Sequence, residues 1–252
     1  MKTTEAMIFA AGLGTRLRPL TDSMPKALVP VCGKPLLQIV IDRLVSFGIR
    51  DIVVNVHHFA GMIEDYLASH PVPGVKVRIS DEREQLMDTG GGILHAENLL
   101  GADRFLVHNV DIISDLDMEW LDSSVRSDAL ATLAVSERKT SRYLLFDDDM
   151  RLKGWTNIST GEVRSPYPDL DPSRCRRYAF SGIHIISHDI FGAFRDKGFC
   201  GKFPIMDFYL RAAAEYPVYG AVPEKLELAD VGKPETLARA REMSCIEKLC
   251  RF

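Results

Sequence analysis

Several features that would narrow the function of a chain this size are missing from it. No run comes near the ~18 consecutive apolar residues of a membrane-crossing helix, and the N-terminal apolar stretch, Met7 to Ala11, is shorter than the core of a secretory signal. A cytoplasmic protein without a membrane partner is therefore expected. The five cysteines, Cys32, Cys175, Cys200, Cys245 and Cys250, form no C-x-x-C pair, which predicts free thiols and no zinc site. Basic excess is absent too: the formal net charge is -4, so no nucleic-acid surface is expected. Internal repeats, low-complexity tracts and extended linkers are likewise missing. The glycine-rich stretch near the N-terminus lacks the third glycine of a dinucleotide fingerprint and the lysine of a P-loop, which argues against an NAD-dependent oxidoreductase.

What is present has ordinary globular balance, with 46% hydrophobic and 26% charged residues over 252, enough to bury one full core. The chain is organised around Met7 to Val31, MIFAAGLGTRLRPLTDSMPKALVPV. A short buried strand runs directly into Gly12-Leu13-Gly14-Thr15-Arg16, and Pro25-Lys26 follows. Loops at the C-terminal ends of α/β strands are where ligands bind. Glycines let backbone N–H groups approach a polyanion, while Arg16 and Lys26 add positive charge, so the loop is expected to bind phosphate.

The full string, GLGTRLRPLT followed by Pro25-Lys26 and Leu28 to Val31, resembles the signature of the sugar-phosphate nucleotidyltransferases, also called nucleotide-sugar pyrophosphorylases. Two later strings extend the resemblance. Asp88-Thr89-Gly90-Gly91-Gly92-Ile93 is similar to the subgroup that includes N-acetylmuramate-1-phosphate uridylyltransferases, and Asp230-Val231-Gly232-Lys233-Pro234-Glu235-Thr236-Leu237 matches the family's D-x-G-x-P-E-x-L. The resemblance runs from Met7 to about Ala240. It implies an α/β fold, a Rossmann-like mixed, mostly parallel sheet flanked by helices, in one domain over residues 1–252 with 137–178 as a small sugar-side excursion.

Periodicity places the elements. Leu36 to Phe47 reads as an amphipathic helix closed by Gly48, Ile52 to Val56 and Val75 to Ile79 as strands of an opening βαβαβ arrangement. The polar segment Asp81 to Met87 is not expected in the core. Gly90 to Gly92 reads as a turn before a helix from Ile93 to Leu99, capped by Asp88 or Thr89, or as bare backbone set against a flat ring. Arg104 to Asp111 is a strand ending in a carboxylate, and Asp128 to Val135 another strand. Arg142 to Phe146 and Arg151 to Trp155 flank an acidic hairpin tip, Asp147 to Asp149, and Ser159 to Arg176 is expected to be irregular. Adjacent His57 and His58 point to opposite faces of extended backbone, and His184 and His188 share no ligand geometry; neither pair predicts a metal site. About seven strands are expected in all.

The resemblance then implies roles. Ala11, Gly12, Leu13, Gly14, Thr15 and Arg16 would hold the nucleoside triphosphate, Thr89 and Gly90 the nucleoside, and Arg16 and Lys26 would act in catalysis. Asn109, Gly182 and Lys202 would meet the sugar phosphate, while Asp111 and Asp230 would hold Mg2+, a cation that prefers oxygen ligands. A lysine-bearing EKP-type string of longer relatives is missing; Lys153, Arg176, Arg177 or Lys202 would replace its phosphate contact. Relatives often carry Asn-Gly-Asp where this chain has Asn109-Val110-Asp111, and a β-branched residue does not take a glycine-only turn cheaply. The expected reaction joins a nucleoside triphosphate and a sugar 1-phosphate, giving an NDP-sugar and pyrophosphate. UTP with N-acetylmuramate 1-phosphate leads. Guanylyl transfer to a mannose- or heptose-type 1-phosphate is the nearest enzymatic alternative, and an inactive nucleotide-sugar-binding protein is the reading from another class. Oligomeric state is not legible.

Overall fold

A computed structural model describes residues 2–240. Besides a two-residue pairing of Pro30–Val31 with Lys34–Pro35, the strands are β1 (Glu5–Phe9), β2 (Asp51–Val56), β3 (Lys76–Asp81), β4 (Arg104–Asn109), β5 (Ile112–Ser114), β6 (Ala131–Ser136), β7 (Arg142–Phe146), β8 (Leu152–Asn157), β9 (Glu162–Arg164), β10 (Arg176–Ser187), β11 (Val218–Ala221) and β12 (Leu228–Asp230). The helices are α1 (Leu36–Phe47), α2 (Ala60–Ser69), α3 (Asp88–His95), α4 (Met118–Ser123), α5 (Ile190–Asp196), α6 (Ile205–Ala212) and α7 (Pro234–Ala240).

The opening half is parallel. β1 lies between β4 and β2, with Met7 opposite Val107 on one side and Val53 on the other, and β3 completes the edge beside β2. Strands covered on both faces read as unbroken apolar runs, which is why IVV and FLV carry so little polar alternation. Successive side chains alternate between two cores: Ala6, Ile8, Ile52, Val54 and Leu106 face α1 and α2, while Met7, Val53, Phe105 and Val107 face α5 and α6. α1 turns seven apolar side chains inward, from Leu36 to Phe47, and ends where Gly48, at φ 105, returns its N–H to the carbonyls of Leu44 and Val45.

The second half is joined antiparallel. β10, twelve residues long, pairs with β4 through its C-terminal half and with β7 through Arg176 to Tyr178, so the order runs β9-β8-β7-β10-β4-β1-β2-β3, with β6 branching from β10 and β11 pairing with β6. The sheet therefore has ten strands rather than about seven. The additional ones come from residues expected to form a separate hairpin and an irregular segment, which instead extend the same sheet; Glu162–Arg164 adds an edge strand inside that segment. A separate two-stranded ladder, β5 with β12, sets Asp230 opposite Ile112.

Two local expectations change. The three glycines lie inside α3 rather than before it, and no side chain caps that helix. Glu82, in the polar segment, is 2% exposed. The expected continuation of the last helix to Lys248 lies outside the described residues, as do Cys245 and Cys250. Cys175 and Cys200 are free thiols, and no helix among the described residues is long and apolar enough to cross a membrane.

Candidate active site

The C-terminal ends of β1, β2 and β4 open on a cleft of about 420 Å³, lined by every residue from Phe9 to Arg16. Gly14 must be glycine. Its φ is 63, and a Cβ there would lie 2.9 Å from Thr21 Cγ2 and 3.0 Å from Lys26 Cβ. Thr21 Oγ1 and the Leu17 N–H both donate to the Gly14 carbonyl, which ties the loop into a single turn at Thr15–Leu17. The N–H groups of Gly12, Leu13 and Gly14 have no hydrogen-bond partner among the described residues. At Gly12 a Cβ would meet no protein atom within 4 Å, so the space beside it belongs to the cleft. Ala11 differs: it lines the cleft, but its N–H donates to Asn55 Oδ1 at 3.2 Å and is already used.

Lys26 and Asp111 face each other across the loop. Lys26 is nearly buried and its Nζ donates to Asp111 Oδ2 in a tight ion pair. Asp230 reaches the same end of the sheet on β12, and the Val231 N–H donates to the Asp111 carbonyl at 2.7 Å, holding the two carboxylate-bearing segments together. Asp230 Oδ1 is buried without a hydrogen-bond partner among the described residues. Gly232 makes room here: a Cβ on it would lie 2.7 Å from both Asp230 Oδ1 and Arg16 Nη2. An unpartnered buried carboxylate oxygen is costly, and oxygen donors of this kind suit a hard divalent cation. The donor set therefore fits Mg2+. Val110 is buried, donates its N–H to Phe9 O and does not have positive φ, so the residue in place of the family's glycine is unstrained.

The opposite wall is α3. Gly90 and Gly91 give their N–H groups to the Phe203 carbonyl at 2.9 and 3.0 Å, and a Cβ on Gly91 would lie 2.2 Å from the Gly201 carbonyl oxygen. A Cβ on Gly90 would lie 2.3 Å from the Phe203 ring, so these glycines seat the 201–203 loop, and Gly90 lies outside the cleft lining. Asp88 and Thr89 do line it. Asp88 has φ 62, uncommon for a residue with a side chain, and Thr89 Oγ1 accepts from the Ile205 N–H at 2.9 Å.

On the remaining side, Asn109 and Lys202 line the cleft and Lys202 is exposed. Gly182, at φ 75 in an irregular stretch of β10, lies behind Asn109, whose Nδ2 would be 2.9 Å from a Cβ there. Of the four basic residues considered for the sugar phosphate, only Lys202 lines the cleft. Lys153 stacks on Tyr167 and faces Asp147, Arg176 pairs with Asp148, and Arg177 donates to the Pro172 carbonyl. The histidines hold structure: His57 Nδ1 donates to the Glu82 carbonyl, and burial lowers the His184 pKa to about 3 beside the Tyr209 hydroxyl. Burial likewise brings His108 down to about 4.

Sequence reasoning missed Asn55 and Glu82, both buried and both lining the cleft. Asn55 was visible only as a polar residue inside the apolar run DIVVNV.

Comparison with known proteins gives this geometry a context. The model of the nucleotidyl transferase family matches residues 5–149. The chain is 38% identical over 237 residues to an N-acetylmuramate alpha-1-phosphate uridylyltransferase of Caulobacter vibrioides, covering 91% of this chain and 92% of that protein. It is also 40% identical over 120 residues to a mannose-1-phosphate guanyltransferase of Hypocrea jecorina, covering 46% of this chain and 33% of that one. Among solved structures, HddC from Yersinia pseudotuberculosis complexed with GMP-PN aligns with a TM-score of 0.73 at 25% identity, over 96% of this chain and 99% of that one. By its glycine-rich loop, its sheet and its similarity along nearly its whole length to a curated member, the chain belongs to the nucleotidyl transferase family.

Proposed function

We propose that this chain transfers the uridylyl group of UTP to N-acetylmuramate 1-phosphate with Mg2+, releasing pyrophosphate and forming the UDP-sugar. The observation that carries the reading is the 38% identity that extends over 91% of the chain to an enzyme named for that reaction. The cleft supplies what the chemistry needs. A sugar phosphate is already anionic at neutral pH, because its second pKa is near 6, so the attacking oxygen requires no base. The difficulty is to bring two anions into line and to stabilise charge on the transferring group and leaving pyrophosphate.

The free N–H groups of Gly12, Leu13 and Gly14 are assigned to the triphosphate. Arg16 offers a planar fork of donors to the phosphates that leave. Lys26, held by Asp111 with its stem against Gly14, is directed to the phosphate that reacts. Asp111 and Asp230 would hold Mg2+, which when bound neutralises phosphate charge. Asp88 and Thr89 are assigned to the nucleoside, and Asn109, Gly182 and Lys202 to the acceptor. Gly90 acts through packing.

The same reading makes 1–252 one domain in which 137–178 is the acceptor-side excursion; that β7, β8 and β9 continue the main sheet supports it. A cytoplasmic location fits a phosphorylated acceptor. Guanylyl transfer to a mannose- or heptose-type 1-phosphate stays as the second reading, favoured by the 40% identity to a mannose-1-phosphate guanyltransferase. The intact set of Arg16, Lys26, Asp111 and Asp230 speaks against a binding-only protein. Pyrophosphate release from UTP and N-acetylmuramate 1-phosphate, present with Mg2+ and lost with a chelator, is the expected result. Release only from GTP with a mannose-type phosphate would replace the first reading by the second.

A further inference from the structure

Glu82 poses a problem of its own. A buried carboxylate in a cleft for a polyanion opposes binding of that anion, and Glu82 makes no ion pair among the described residues. Its two oxygens are nevertheless both used. Oε1 accepts from Asn55 Nδ2 at 2.7 Å and Oε2 accepts from the Met87 N–H at 2.9 Å. The amide of Asn55, so oriented, points its oxygen at the start of the phosphate loop, where it accepts from the N–H groups of Ala10 at 2.7 Å and Ala11 at 3.2 Å. The Glu82 backbone is fixed as well: its N–H donates to Val56 O, and its carbonyl accepts from His57 Nδ1 and the Gln85 N–H. α3 leaves space for the pair, since a Cβ on Gly92 would lie 2.9 Å from Glu82 Oε1 and 3.2 Å from Asn55 Nδ2.

We infer that Asn55 and Glu82 are positioning residues that lock the entry of the phosphate loop to the nucleoside-side wall, so that both walls of the cleft are held in one geometry before a nucleotide enters. Donors converge on the carboxylate from both sides, from the loop through Asn55 and from the wall through Met87. Only a group with two acceptors closes that chain. An amide at 82 satisfies Asn55 or Met87 but not both. An acid at 55 sets a second carboxylate against the first. This inference rests on the reading of the cleft as a nucleotide site.

The chain of donors and acceptors can be reversed. In Asn55→Asp with Glu82→Gln, the acid at 55 still accepts from Ala10 and Ala11 and takes the amide N–H of residue 82, whose oxygen accepts from Met87. Titration calorimetry with a non-hydrolysable UTP or GTP analogue, the KM for each substrate and thermal unfolding would be measured for wild type, each single variant and the pair. Each single change is expected to weaken nucleotide binding about tenfold or more, with the acceptor KM unchanged. The pair should return to within about threefold of wild type. Should the single variants not fold, Gly92→Ala leaves both side chains chemically intact while crowding them, and it is expected to weaken nucleotide binding in the same way. Single variants that lower the unfolding temperature yet bind nucleotide like wild type, a pair no better than the worse single variant, or an unaffected Gly92→Ala would each overturn the inference. Wild-type protein that binds no nucleotide would overturn the nucleotide reading itself, and is thereby distinguished.

Discussion

On the glycine-loop side of the cleft, assigned above to the nucleotide, the groups are fastened by short links: Gly14 to Thr21, Lys26 to Asp111, Asn55 to both Ala10 and Glu82. On the side assigned to the acceptor the same sheet is assembled from distant strands, the pairing of β10 is irregular around Gly182, Ser181 Oγ is buried without a hydrogen-bond partner among the described residues, and Lys202 is exposed on a loop. The first region is parallel, locally connected and set in advance. The second, on the proposed reading, leaves shape and charge to be completed by the sugar. A preset nucleotide site suits a substrate part common to a family, whereas an adaptable acceptor side is where members of one fold can differ in what they join.

The sharpest way to break this contrast is at the carboxylates. Asp111→Ala or Asp230→Ala is expected to lower turnover by about 10³-fold, because charge stabilisation at the reacting phosphate is the largest catalytic term. Initial pyrophosphate release reads it, and chelation should match it. Next in size is Lys26→Met. It leaves Asp111 without its cation and should cost about 3 kcal/mol of metal-free stability in chemical denaturation, with part restored by Mg2+. The wall behind the nucleoside comes third: Gly91→Ala drives a methyl against the Gly201 carbonyl and is expected to cost about 1–3 kcal/mol. Gly61→Ala, in α2 with nothing within 4 Å of the new atom, should instead be neutral or stabilising by up to about 1 kcal/mol.

On the acceptor side, Lys202→Ala should raise the KM of the sugar phosphate about tenfold while leaving the nucleotide KM unchanged. Lys153→Ala, whose ammonium sits over Tyr167, should change neither. The last effect concerns pH. His184 is held neutral, its folded pKa depressed to about 3, so its contribution is complete above the unfolded value near 6.5 and is lost as pH falls toward 3. Stability should decline below pH 6.5 by about 1.4 kcal/mol per pH unit for this residue, and His184→Gln should flatten that slope in denaturation curves.

Much of the glycine-loop side of the cleft was legible because contiguous residues build it. The strand, glycines, Arg16 and Lys26 occupy one stretch, and Asp111 and Asp230 each end an apolar run. The three glycines of α3 were harder, since a helical interior is a poor place for glycine unless something presses on it. What presses on Gly90 and Gly91 is the loop at Gly201 to Phe203, more than a hundred residues away, and on Gly92 the side chains of Glu82 and Asn55. Glu82 was misplaced for a related reason: its polar neighbours Asp81, Arg83 and Glu84 are exposed, and only the fold turns this one inward to Asn55. The antiparallel half was similarly hidden, because strand pairing across β10 depends on contacts with no local sequence signal.

The most direct measurement is a one-pot competition. UTP, GTP, CTP, ATP and dTTP at equal concentration would be mixed with Mg2+, the protein and N-acetylmuramate 1-phosphate, and the products separated by mass. The account predicts one nucleotide-sugar, UDP-N-acetylmuramate, formed together with pyrophosphate. A mixture of nucleotide-sugars, or none while mannose 1-phosphate and GTP give GDP-mannose, would contradict it.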